Sequence, residues 1–198
     1  TSPDHDLPRL FRLEGRLRER LGAYTQAVRW YRRGLRALAE VEDPIEEAML
    51  HAGLAIVRLD QGRPRDALGH AAEALRAADS SGDESALARA HFVLAWAHDD
   101  LGDGRGEQHR RTAIARYEAL GDQRSLVYLH NNAGAAAFHH GAWEEAIDHY
   151  TRAADIVRRV GDRPSHALLL GNIGEIRSNQ GRYDEADEHL AEGAGIAR

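Results

Sequence analysis

Five glycines, Gly22, Gly62, Gly102, Gly141 and Gly181, recur at intervals of 40, 40, 39 and 40 residues, and this period limits the fold more than any other feature. A small residue stands seven positions before each: Gly15, Ala55, Ala95, Gly134 and Gly174. Asp43, Asp83, Asp122 and Asp162 close the first four blocks, the last three after a glycine. Three sets of marks in one register make the chain a tandem array, with repeats at about 7–43, 44–83, 84–122, 123–162 and 163–198.

Between the marks the apolar residues keep helical spacing, as in Leu50, Leu54, Val57 and in Ile147, Tyr150, Ala154, and no stretch alternates with the period of two that a strand needs. Each block therefore reads as two helices. The mid-block glycine supplies a backbone free to take positive φ at a tight turn, and the closing Asp caps the next helix. Asp43-Pro44-Ile45-Glu46 shows the pattern, with Asp at the cap, Pro at the first helical position and Glu three residues after the cap. The small residues seven before each turn let the two helices of a hairpin approach closely.

These marks resemble the tetratricopeptide repeat. Gly22-Ala23-Tyr24-Thr25-Gln26-Ala27 followed by Tyr31, Gly34 and Leu35 matches that family's second helix, as do Gly141-Ala142-Trp143-Glu144-Glu145-Ala146 and Gly181-Arg182-Tyr183-Asp184-Glu185-Ala186. Leu170 to Gly174 and His130 to Gly134 look like its first helix. The period of 40 is similar to the long-helix variety of kinesin light chains and of bacterial multidomain regulators and signal-transduction ATPases. The resemblance implies an all-α fold, a right-handed α-α superhelix of five helix-turn-helix repeats in a single solenoid domain over residues 1–198. Repeat three departs furthest, with Gly104 where Tyr is expected, Glu107 in the small-residue position and Arg111 in the aromatic one. Its second helix is expected to be the least well packed. The first residue is not Met and the chain stops inside a helical pattern, so a piece of a longer protein is expected.

Charge and composition narrow the function. The formal charge is −6 with 32 acidic residues, which argues against direct nucleic-acid binding, although residues 7–43 carry nine Arg against five acids. Arg9, Arg12, Arg16 and Arg20 form a stripe that reads as a solvated face or as contact with an acidic partner. The absence of Cys removes disulfides, thiolate metal sites and Cys nucleophiles and fits a cytoplasmic location. No apolar run approaches a membrane span. No catalytic constellation stands out, so an enzyme, a cofactor and a metal site are not expected. Gly102 to Gly106 reads as a loose hairpin turn, because a phosphate-binding loop follows a strand. His51, His91 and His130 share one position in successive first helices, close enough for protonation to matter.

The expected function is a protein or peptide interaction module, the sensor or scaffold region of a bacterial regulator, whose partner could be another domain of the same chain. The alternative is a structural scaffold that packs on itself, with a homodimer through its C-terminal end. In the family the first helices line a groove, which implies groove positions at Met49, Ala52, Ile56 and Leu59, at Arg89, Phe92, Trp96 and Asp99, and at Tyr128, Asn131, Ala135 and Phe138. Asn132 and Asn172 recur at one inner-helix position where an amide could bond a peptide backbone. The lysine-based carboxylate clamp of chaperone-binding relatives has no lysine to form it.

Overall fold

A computed structural model describes residues 6–196 and shows ten helices: α1 (Leu7–Arg20), α2 (Tyr24–Ala37), α3 (Pro44–Asp60), α4 (Pro64–Ser81), α5 (Glu84–Leu101), α6 (Gly106–Leu120), α7 (Gln123–His139), α8 (Trp143–Val160), α9 (Arg163–Asn179) and α10 (Tyr183–Ile196). They form five helical hairpins, and residues 1–5 and 197–198 of the expected domain lie outside the described residues. There is no strand among the described residues. None of the helices is long and apolar enough to cross a membrane.

Local chemistry accounts for the boundaries. The carboxylates of Asp43, Asp83, Asp122 and Asp162 accept from the backbone N–H three residues on, at 2.9, 2.7, 3.0 and 3.2 Å, so four first helices start on a capped amide. The five period-marking glycines all turn at positive φ, between 63° and 77°, a region closed to most L residues.

The chain divides into two compact units, residues 1–116 and 117–198, each described separately. In the first, α1 packs on α2 and α3 on α4, while α1 touches α3 and α3 touches α5. Tyr31 is the wedge of this packing. A Cβ placed on Gly15 would stand 2.7 Å from its ring, and one on Gly53 2.5 Å, so both first helices reach the ring only because a side chain is missing. The Tyr31 hydroxyl donates to Glu19 at 2.6 Å, and Ala27, Leu50, Leu54 and Val57 complete the core. Arg12 of α1 forks onto Glu46 of α3, with its Nη2 donating at 2.9 Å.

In the second unit Tyr150 lies against Gly134 in the same manner, over a core of Ala146, Ala153, Val157, Leu169, Ile173 and Ile176. Leu168, Tyr183 and Leu190 remain exposed on α9 and α10.

The third hairpin corrects the expected register by one residue. Gly106, not Glu107, is the buried small residue, and Arg110, not Arg111, fills the place taken by Tyr31 and Tyr150 elsewhere. The interval of 39 between Gly102 and Gly141 is where the count slips. Arg110 is 8% exposed and donates to Asp99 at 2.8 Å and to Glu107, so an ion-paired cluster replaces the aromatic wedge.

Candidate functional site

On the first helices of unit 1 the stripe expected to face a ligand is largely core. Ile56, Leu59 and Phe92 are 1%, 4% and 2% exposed, and Ala52 is buried with them, which removes these residues from a ligand-contacting surface. The reason is mechanical: α3 has α1, α2, α4 and α5 as neighbours, and a helix with four neighbours leaves few positions open. Asp99 is likewise turned into its hairpin by Arg110. Half-buried positions remain at Met49, Arg89 and Trp96. The Trp96 ring lies 5.9 Å from that of Phe92, and the Arg89 guanidinium stands 5.9 Å from the Phe92 ring, so buried Phe92 supports two groups that reach the surface.

An electrostatic set that the stripe did not include joins them. Burial raises the pKa of Glu19, against the hydrogen bond from Tyr31 and the charges of Arg89 and Arg16. Asp60 closes α3 with much of its surface accessible, yet desolvation of its carboxylate and the nearby Glu19 charge lift its pKa to about 6. Arg16, Glu19, Asp60 and Arg89 thus form a mixed-charge set contributed by all three first helices of the unit.

In unit 2 the stripe of α7 is more open. Tyr128 is 39% exposed, and Asn131, Ala135 and Phe138 are half-buried, with Phe138 resting on the hydrophobic core. Asn132 and Asn172 are half-buried on the first helices of their hairpins. The Asn132 Nδ2 is shielded from solvent and has no hydrogen-bond partner, an uncommon state for an amide donor.

The histidines are arranged in a way that their first-helix positions alone did not reveal. His51 meets His70, His91 meets His109 and His130 meets His149, with Nδ1 to Nδ1 distances of 3.3, 2.9 and 3.0 Å. Each pair joins the two helices of one hairpin. In the first hairpin the pair is Phe11 with Trp30, stacked with centroids 5.7 Å apart. One ring nitrogen must donate and the other accept, so each pair holds a single shared proton. His70, His109 and His149 recur at 39 and 40 residues, as their partners do at 40 and 39, and that recurrence was the available signal. No group of three or more His, Cys, Asp or Glu side chains placed to hold a metal ion occurs among the described residues.

Comparison with curated proteins gives no match. Among solved structures the chain is similar to a Rap protein complexed with competence and sporulation factor, at 19% identity and a TM-score of 0.82, over 96% of this chain and 54% of that one. It is also similar to a signal transduction ATPase with numerous domains (STAND) carrying a tetratricopeptide repeat sensor, from Pyrococcus horikoshii. There the identity is 13% and the TM-score 0.78, over 96% of this chain and 29% of that one. A kinesin light chain-like repeat protein from Podosopora anserina aligns at 15% identity and a TM-score of 0.70, over 98% of this chain and 96% of that one. The chain thus spans about half of the Rap protein and under a third of the STAND protein. Two family models, both described as tetratricopeptide repeat, match residues 53–104 and 125–198. With its five glycine-turned hairpins and these matches, the chain belongs to the tetratricopeptide-repeat family.

Proposed function

We propose that this chain is a protein-interaction module that binds a peptide segment along the open stripe of α7, and that it serves as the sensor region of a larger cytoplasmic bacterial regulator. The observation that carries the reading is the exposed aromatic ring of Tyr128 on α7 beside the half-buried amide of Asn131. An amide can hydrogen-bond an extended peptide backbone, and a ring in a partly desolvated surface is a good anchor. Asn131 and the accessible part of Phe138 continue the stripe, and Asn172 supplies a second amide on α9. In unit 1, Met49, Arg89 and Trp96 supply the corresponding half-buried positions. The regulatory context is supported by the likeness to a peptide-complexed Rap protein and a STAND sensor, each longer than this chain.

The test is selection of peptides from a random display library against the folded chain, followed by titration of enriched sequences. Tyr128→Ala and Asn131→Ala should each weaken binding about tenfold or more, as loss of an anchor worth ~1.4 kcal/mol requires. Peptides that bind both variants as tightly as the parent would overturn the reading.

A further inference from the structure

A different surface, on the outer helix of the first hairpin, carries a second binding inference. Helix α2 holds Arg29, Arg32, Arg33 and Arg36 and no acidic residue. None of the four makes an ion pair with the described residues. The corresponding helices of other hairpins behave differently: Arg76 of α4 pairs with Glu73, and Arg152 and Arg158 of α8 pair with Asp148 and Asp155. Like charges three and four positions apart on one helix repel, so α2 keeps a set of cations that its own hairpin does not neutralise.

The set is organised around a ring. The Arg33 guanidinium lies 4.6 Å from the Trp30 ring centroid and 5.0 Å from that of Phe11, a cation over the stacked pair that takes the place of the histidine pairs. Beside it opens a hollow of about 820 Å³, lined among the described residues by Gln26, Arg29, Trp30, Arg32, Arg33 and Arg36. Trp30 is half-buried and gives the hollow an apolar floor, while the exposed arginines stand around it as donors in fork geometry.

We propose that this hollow binds an acidic protein segment, with an apolar side chain of the segment seated on Trp30 and its carboxylates held by Arg29, Arg32 and Arg36. The chemistry selects the occupant. Guanidinium forks take carboxylates in bidentate pairs, and an apolar floor rewards a leucine or aromatic side chain placed between them. A nucleic acid fits less well, because the basic residues are confined to one hairpin of a chain whose formal charge is −6, which repels a long polyanion outside that patch. The surface is separate from the α7 stripe and does not depend on it.

Fluorescence anisotropy tests the proposal with a labelled peptide of repeated Asp-Glu-Leu-Glu. The controls are the same peptide with Asn and Gln for the acids, and a single-stranded thymidine oligomer. The acidic peptide should bind, with affinity falling as salt rises, and the combined Arg29→Gln, Arg32→Gln, Arg36→Gln variant should bind roughly tenfold or more weakly. Trp30→Phe should keep the binding and Trp30→Ala should lose most of it. The three arginines are exposed and have no ion-pair partner among the described residues, so an unchanged circular dichroism melt is expected for the triple variant. Absence of binding by the acidic peptide, equal binding to the triple variant, or equal binding of the amide peptide or the thymidine oligomer would each overturn the proposal.

Discussion

Arg110 shows how a single position can change the way a hairpin is held. Where Tyr31 and Tyr150 wedge two helices apart with a ring, Arg110 does so with a guanidinium fixed by Asp99 and Glu107. Its side chain is 10% accessible and that of Asp99 14%, so solvent screens the pair only weakly. Removing one partner leaves the other poorly compensated; Arg110→Ala should therefore cost about 2–3 kcal/mol, toward the low end for a fully buried pair. The double change Asp99→Ala, Arg110→Tyr, which removes the Asp99 carboxylate and supplies at 110 the ring that Tyr31 and Tyr150 supply elsewhere, should recover most of that loss in urea denaturation. Equal midpoints for the single variant and the parent would mean that the cluster contributes nothing. The sequence showed that this repeat was irregular, but assigned the irregularity to Glu107 and Arg111. The deletion of one residue in a turn is invisible to a count made from the turn glycine and is settled only by which side chains become buried.

Among the helices, the four aspartate caps and the five turn glycines were legible, because an aspartate cap and a positive-φ glycine act within four residues of themselves. The buried faces were not. Helix α3 is apolar over most of its circumference, and nothing in its own sequence distinguishes Ile56 and Leu59 as core from Met49 as half-accessible; its four neighbours decide that. The histidine pairs also arise between helices, and they give the hairpins a pH response. Desolvation, the largest cause in each, holds the pKa of His51, His70, His91 and His109 below 6.5. The first pair also faces Glu47, Glu73, Arg32, Arg58 and Arg76, and the second Asp79, His98, Arg105 and Arg116. As pH falls below 6.5 the unfolded chain takes up protons that the folded pairs refuse, so stability from these groups is present above 6.5 and is lost on acidification. Glu19 and Asp60 act in the opposite sense, since their raised pKa values let the folded state bind protons earlier. The variant His51→Phe, His70→Trp copies the first hairpin and removes only the histidine part. Thermal melts between about pH 7 and pH 5 should show a shallower loss for it than for the parent, and an equal or steeper loss would count against the pairs as acid-sensitive elements.

Taken together, the described residues form five hairpins of one repeating pattern. Its repeats were legible because one local pattern recurs five times, and recurrence multiplies a weak signal. The stripe expected on the first helices is partly core. Tyr128 and Asn131 keep accessible surface, whereas Ile56, Leu59 and Phe92 are spent on packing the helices together. The arginine surface of α2 was visible only as an excess of charge in residues 7–43, since the Trp30 floor and the missing counter-charges are properties of the packed hairpin. The most direct measurement is amide hydrogen exchange on the folded chain with and without a peptide taken from the display selection. Protection should rise in α7, at residues 123–139, with the outer helix α8 unchanged. Protection confined to α8 and the other second helices, or no change in α7 at saturating peptide, would contradict a binding surface built on the first helices.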